Sequence, residues 1–358
     1  MRAAILTAFG EPLVVEEVRP EPLGPSDVLV HVDASGVCHS DVTVWNGGSG
    51  MPAPMVLGHE GSGTVLATGS DVSRVRVGDR VIASFVPACG NCYYCLHDQS
   101  NLCERGFDFM AKHTSTRADG TPLRGMAGLG TFADEMIVDQ TALVKVQTDL
   151  PSEQLALIGC GVTTGVGAAL NTARVTPGAT VAVIGCGGVG QSVLQGARIA
   201  GASRIFAIDP VELKRKTAEQ LGATDLIDPS QGDPVEQVRA LTEGRGVDFS
   251  FEVIGLPATI VQAFEIARRG GTATVVGWAR SDATVTFPAA MLMGGEKTVH
   301  GCIYGSAQVR RDFPRLVQLV ETGRLDIGAM VSRRIKLDEV NDAFRAMEAG
   351  EVIRSVIV

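Results

Sequence analysis

The stretch that most constrains the fold is Thr180-Val-Ala-Val-Ile184, followed at once by Gly185-Cys-Gly187-Gly188-Val-Gly190. A short apolar, β-branched run of this kind reads as a strand buried on both faces. The glycines then turn the chain into a helical pattern that runs to Ala200. Arg204-Ile-Phe-Ala-Ile-Asp209 is the next strand, and its terminal acid stands nineteen residues after Gly190. Strand, G-x-G-x-x-G, helix, strand and acid in this order form a dinucleotide-binding fingerprint. Gly185 permits the tight turn, Gly187 lets backbone approach a pyrophosphate, and Gly190 lets the helix pack on the strand. With Gly188 at the helix start, phosphate charge meets free N–H groups. Asp209 is placed to accept hydrogen bonds from ribose hydroxyls and repels a ribose phosphate, which predicts NAD over NADP. The competing reading is an α/β domain with a glycine turn and no nucleotide.

Strand–helix alternation continues beyond the fingerprint. Phe249-Ser-Phe-Glu-Val253 and Thr272-Ala-Thr-Val-Val276 are apolar strands, with helical patterns near 211–221 and 234–242. This predicts a parallel sheet covered on both faces. At 358 residues the chain is too long for one typical core, so two domains are expected. Residues 1–85 have another character: short alternating runs such as 28–32 and 63–67, broken by Gly, Pro and Asp turns. They read as a curled antiparallel sheet or small barrel. Residues 104–130 are polar and irregular and read as one long loop. Residues 132–146 return to strand-like alternation. A helix-like run of small residues ends near Thr172, and residues 297–304 form a late β run. The tail carries two amphipathic helices, 313–322 and 337–349, and a last strand, 353–358.

The net charge of -9 argues against nucleic acid or an anionic membrane as partner. The apolar run at the N-terminus is short and followed by acids, unlike a signal peptide. No eighteen-residue apolar stretch is evident, so cytoplasm is the expected location.

Four of eight cysteines fall within fifteen residues, Cys89, Cys92, Cys95 and Cys103, spaced C-x2-C-x2-C-x7-C. Thiolates so spaced can wrap one tetrahedral ion as a closed structural zinc site. The alternative is a disulfide cluster, which a chain without secretion signals disfavours. Cys186 and Cys302 lie in apolar runs and read as core. Cys38, His59 and Cys160 remain, in the contexts G-V-C-H-S-D, G-H-E-G and G-C-G. On residues alone, two readings stay open for this trio. They are two thiolates and an imidazole on zinc, or two buried cysteines and a histidine that only pack.

Together these motifs resemble the zinc-dependent alcohol dehydrogenases of the medium-chain dehydrogenase/reductase family, along essentially the whole chain. The matching stretches are G-V-C-H-S-D, G-H-E-x-x-G from Gly58, the four-cysteine lobe, G-C-G-V-T-T-G, G-C-G-G-V-G and the terminal Ile-Arg-Ser-Val-Ile. The resemblance implies an α/β fold: a Rossmann doubly wound coenzyme domain at 162–303, and a GroES-like β-barrel catalytic domain at 1–161 and 304–358 with the zinc lobe at 89–103. It implies that Cys38, His59 and Cys160 hold a catalytic zinc, with Glu60 beside it as an alternative ligand. Asp41 would orient the His59 ring, and Ser40 would hydrogen-bond the substrate oxygen. His39, Lys214 and Arg354 match donor positions around the cofactor, while Thr164, Val189, Ile254 and Val276 match positions around the nicotinamide and its ribose. Phe85, Met126 and Trp278 match pocket-lining positions, with core packing as the alternative for all three.

The implied reaction interconverts a primary alcohol, aromatic or medium-chain, with its aldehyde by hydride transfer from an alkoxide at zinc to NAD. The partner is thus a small alcohol or aldehyde. Oxidation of a formaldehyde–thiol adduct is the runner-up, and a non-catalytic NAD-binding scaffold is disfavoured by the intact trio. Where many relatives carry a histidine as the outer end of the proton relay, this chain has Thr43. Relatives also pair the late β run across a two-fold axis, which implies a homodimer or homotetramer.

Overall fold

A computed structural model describes all 358 residues. The chain divides into two compact units. The first comprises Met1–Cys160, Gln308–Gly323 and Val331–Val358; the second comprises Gly161–Ala307 and Arg324–Met330.

The first unit is built on a seven-stranded sheet centred on Asp27–Val37. On one side Glu60–Thr68 pairs antiparallel with this strand, bringing Gly36 opposite Glu60. On the other side Arg354–Ile357 pairs antiparallel, bringing Val37 opposite Ser355. Three sequence-distant segments therefore end side by side at the C-terminal end of one strand. Their alternation of Val with polar residues suits a pleated, half-buried surface. A second, six-stranded sheet includes Arg2–Leu6 and the pair His113–Thr116 and Pro122–Gly125. That pair corrects the reading of 104–130 as one irregular loop. Ala118 and Asp119 form the turn, closed by the Gly120 N–H donating to the Arg117 carbonyl at 3.0 Å with Gly120 at φ +89, and Ser115 lies opposite Leu123. The strand His113-Thr-Ser-Thr116 shows no apolar alternation, so its pattern is invisible to hydrophobic periodicity.

The second unit is a six-stranded parallel sheet. Numbering its strands from Thr180–Ile184, the order is 3-2-1-4-5-6, the doubly wound arrangement. Thr180–Ile184 and its neighbours Arg204–Ile208 and Val247–Glu252 lie at the centre, packed on Gly188–Ile199 and Pro257–Ile266. Segment 324–330 was grouped by sequence with the first unit, whereas the structure groups it with the second. Gln195 explains this: its Nε2 donates to the Asp326 carbonyl at 3.0 Å and its Oε1 accepts from the Asp326 N–H at 2.7 Å.

A helical stretch, Ser152–Thr172, is long and apolar enough to cross a membrane by length and composition. This corrects the expectation that no such stretch exists. Within it, 83% of the apolar window is buried, so it is a core helix. It contains two π turns, Ile158–Val162 and Ala168–Thr172.

Candidate metal centre and coenzyme site

Asp27–Val37 ends at Cys38, which has extended backbone and starts the helix His39–Trp45. The buried Asp41 carboxylate does two things there. One oxygen accepts from the Cys38 N–H at 2.8 Å, and the other meets His59 Nδ1 at 2.8 Å. His59 precedes Glu60–Thr68 and follows Gly58, at φ +91; a Cβ on Gly58 would lie 2.5 Å from the Phe132 nitrogen. Only glycine fits that corner, and the fit fixes where His59 points. Cys160 arrives from the first π turn, whose widened backbone often marks functional positions. The preceding Gly159 packs so closely that a Cβ would sit 2.8 Å from the Ala83 carbonyl.

These elements bring ligand atoms of Cys38, His59, Glu60 and Cys160 within 4.8 Å of one another, all buried. His59 Nε2 is buried with no hydrogen-bond partner. With Nδ1 held by Asp41, Nε2 is the ring nitrogen left to face the cluster, as in a histidine ligand. A buried polar atom left unpaired is rare in a native protein, and a cation among two sulfurs answers it. The donor set, sulfur plus imidazole, suits zinc. The residues present fit a catalytic zinc.

Without a cation, only one of the four groups is shifted towards its ligand form. Cys38 is held well below the usual thiol range, chiefly by its bond with Cys160 and then by His59. The same bond, with burial, drives Cys160 up. Burial alone would lower His59, yet Asp41, with Cys38, offsets it and the imidazole is held well above its ordinary value. Burial pushes Glu60 up to about 7 against the pull of Arg354. A cation placed among these groups would favour every deprotonated form.

Arg354, expected to contact the cofactor, is paired with Glu60 beside the cluster. Its guanidinium is buried and bonded to the Glu60 carboxylate. Gly36 makes room for that pair: a Cβ there would fall 2.1 Å from Glu60 Oε2. Ser40 places its hydroxyl 3.9 Å from Cys38 Sγ. His39 is exposed at the helix start, and its carbonyl accepts from Thr43 Oγ1 at 3.1 Å. Phe85 sets its ring edge-on to His59, 5.6 Å between centroids and 87° between planes. Met126, expected at the pocket, is buried in a core cluster with Leu57 and Phe132. Trp278 is half exposed on the second unit.

In the lobe, the ligand atoms of Cys89, Cys92, Cys95 and Cys103 also lie within 4.8 Å of one another. All eight cysteines are free, and the Cys89–Cys95 and Cys92–Cys103 sulfurs are 3.9 and 4.0 Å apart. These are metal-ligand spacings rather than disulfide bonds. Backbone N–H groups of Cys89 and Asn91 donate to sulfurs. The Cys95 N–H chiefly pulls Cys92 down to about 6, so thiolate is available at neutral pH.

On the second unit, each fingerprint glycine shows its reason. Gly185 has φ +93, and a Cβ would meet Ile254 at 2.7 Å. A Cβ on Gly190 would lie 1.9 Å from the Gly185 carbonyl. At Gly187 a Cβ meets nothing within 4 Å, leaving open space beside the start of helix Gly188–Ile199. That is a cradle for a phosphate group. Gly165 lets the helix bearing Thr164 approach Val189, where a Cβ would be 2.4 Å from its carbonyl. Asp209 accepts from the Cys186 N–H and the Val211 N–H, each at 2.8 Å. Lys214 is half buried and its carbonyl accepts from Gln191. Ile254 is exposed and Val276 half buried, at the ends of adjacent strands. Sequence reasoning missed Arg215, whose guanidinium donates to the Asp209 carbonyl and pairs with Asp228 at 3.0 Å. It also missed Glu252, because a lone acid inside an apolar strand has no motif.

Comparison with known proteins places these features. Residues 24–148 match the alcohol dehydrogenase GroES-like domain family, and residues 188–322 match the zinc-binding dehydrogenase family. An S-(hydroxymethyl)glutathione dehydrogenase of Synechocystis sp. is 38% identical, covering 99% of each chain. The benzyl alcohol dehydrogenase of Acinetobacter calcoaceticus superposes with a TM-score of 0.93 at 32% identity, covering 99% of this chain and 98% of that one. A zinc-binding dehydrogenase of Sinorhizobium meliloti, solved with NADP, gives 0.84 at 29% identity, covering 100% and 98%. The chain belongs to the zinc-dependent alcohol dehydrogenases of the medium-chain dehydrogenase/reductase family.

Proposed function

We propose that this dehydrogenase oxidises an uncharged, apolar primary alcohol to its aldehyde with NAD, at Cys38, His59 and Cys160. The observation that carries the site is the orphaned, buried Nε2 of His59, facing two thiols that share one proton network. Zinc there supplies Lewis-acid stabilisation of an oxyanion, and the dinucleotide supplies the hydride acceptor. The chain's own residues do the rest. Asp41 fixes the tautomer and direction of His59. The Ser40 hydroxyl, beside Cys38, would accept the substrate proton as it passes its own onward, acting as a relay rather than a base. Thr43 donates to the His39 carbonyl, so it is no substitute base for a relay histidine, and the proton would leave to water. Phe85 covers one face of the site next to His59 and excludes water from it. Cys89, Cys92, Cys95 and Cys103 would hold the structural zinc that fixes the lobe.

NAD is favoured over NADP by charge. The Asp209 carboxylate sits at the strand end where ribose hydroxyls are read. Arg215 is committed to the Asp209 carbonyl and Asp228 and is not free to take a ribose phosphate. Around the fingerprint we place Gly185, Gly187, Gly188 and Gly190 against the pyrophosphate, with Thr164, Val189, Ile254 and Val276 around the nicotinamide end. His39 and Lys214 would serve as donors.

A second reading, oxidation of a formaldehyde–thiol adduct, is favoured by the name of the Synechocystis relative. Against it stands the segment after the first helix, Asn46-Gly-Gly-Ser-Gly-Met-Pro-Ala-Pro54, which carries no charge. A tripeptide thiol brings carboxylates that need cationic partners. We further propose a cytoplasmic homodimer.

The test is NADH formation across a panel of benzyl alcohol, medium-chain alcohols, and formaldehyde with glutathione, with and without a zinc chelator. Chelator-sensitive turnover of the plain alcohols is expected. Turnover restricted to the glutathione mixture would select the second reading.

A further inference from the structure

Ile254 and Val276 lie on two neighbouring turns, at the ends of Val247–Glu252 and Ala267–Val275. One residue ties both. Glu252 Oε1 accepts from the Ile254 N–H at 2.9 Å, the Gly255 N–H at 2.7 Å and Thr259 Oγ1 at 2.7 Å. Its main-chain carbonyl accepts from the Val276 N–H at 2.8 Å and the Gly277 N–H at 3.1 Å. The turns are also in close contact: a Cβ on Gly277 would lie 2.1 Å from the Gly255 nitrogen. Ile254 in turn rests against Gly185, the first fingerprint glycine.

Glu252 is completely buried, and its Oε2 has no hydrogen-bond partner. Holding a carboxylate in the sheet core with one oxygen unpaired is unfavourable. An apolar residue would avoid that, but would leave the Ile254 and Gly255 N–H groups without an acceptor. The balance makes sense where the shape of the turn matters more than the stability of the strand.

We propose that Glu252 is a positioning residue for the coenzyme. It sets the 253–255 and 276–277 turns, so that Ile254 and Val276 meet the dinucleotide in one arrangement. This rests on the dinucleotide reading above. Glu252 touches neither substrate nor zinc; it acts through backbone.

The test compares the full-length holoenzyme with Glu252→Leu, Glu252→Gln and Thr259→Val. NADH affinity is read by fluorescence titration, and KM for NAD separately from kcat. Glu252→Leu is expected to weaken NADH and raise KM for NAD about tenfold, while kcat falls less than about threefold. Glu252→Gln keeps a carbonyl oxygen for the same donors and should recover most of that loss. Thr259→Val, removing one donor, should weaken NADH about threefold. Zinc content should stay unchanged throughout. Wild-type NADH affinity in Glu252→Leu would overturn the proposal. If that variant is not recovered folded, unchanged affinity in Thr259→Val overturns it instead. Failure of the wild type itself to bind NADH would overturn the dinucleotide reading, a separate result.

Discussion

Asp41 shows how much one short side chain can settle. Its two oxygens join the start of a helix to a histidine eighteen residues on. Neither contact is large, but together they leave His59 one free direction. Asp41→Ala should therefore loosen the catalytic ion about 10–100-fold, while leaving the four-cysteine lobe untouched. Competition with a chromogenic chelator measures this, and dialysis should leave one zinc per chain instead of two. Two ions retained at wild-type strength would show that His59 is oriented by something else. Ser40→Ala makes the complementary case. Losing a proton-transfer group costs about 10²-fold or more in kcat, with NADH affinity unchanged; an undiminished kcat would remove Ser40 from the chemistry. At this scale the sequence was legible where glycine flanked a ligand. It gave no sign of what surrounds Met126 and Arg354, both of which the fold buries among partners that no local pattern names.

Among the elements, the glycine turn offers a test that separates folding from binding. Gly187 has ordinary φ and open space for a Cβ, so Gly187→Ala should fold with stability within about 0.5 kcal/mol of wild type. Its methyl group would nonetheless occupy the cradle and weaken NADH about tenfold or more. Gly190→Ala would drive a Cβ into the Gly185 carbonyl and should lose about 3 kcal/mol of stability as well. Thermal melts beside NADH titrations distinguish the two; equal melting temperatures would refute the packing argument for Gly190. The sheet also carries an acid-sensitive tie. Asp248 is opposed by burial, yet Thr180 and Arg268 bond its carboxylate and hold it below the usual range. A depressed acid stabilises the fold above its unfolded value, about 3.9, and loses that contribution as pH falls through its folded value. Asp248→Asn should thus flatten the acid limb of the melting curve below about pH 4; a limb as steep as in wild type would contradict the tie. These strands were readable because parallel sheets demand continuous apolar runs. The 113–125 hairpin was not, because Thr and Ser there are buried without alternation.

For the whole molecule, the open question is what covers the last edge of the parallel sheet. Thr298–Gly301 pairs on one side only, with Ala267–Val275. Just before it, the short helix Ala289–Gly294, of sequence AAMLMG, buries none of its residues, and Met293 is 77% exposed. An unpaired edge beside exposed apolar side chains is a template for another strand. A second copy would supply one, and a two-fold axis would let each edge satisfy the other. The alternation tells which positions would do this. Cys302 donates inward to the Val275 carbonyl, so in a parallel strand Thr298 and His300 also face inward, while Val299 and Gly301 face out. Val299→Pro therefore removes an outward donor without breaking the existing ladder. The wild-type chain is expected to sediment at twice the 37.4 kDa of one chain, and Val299→Pro at the mass of one, with its melting transition retained. A dimer that survives that substitution would place the interface on another face.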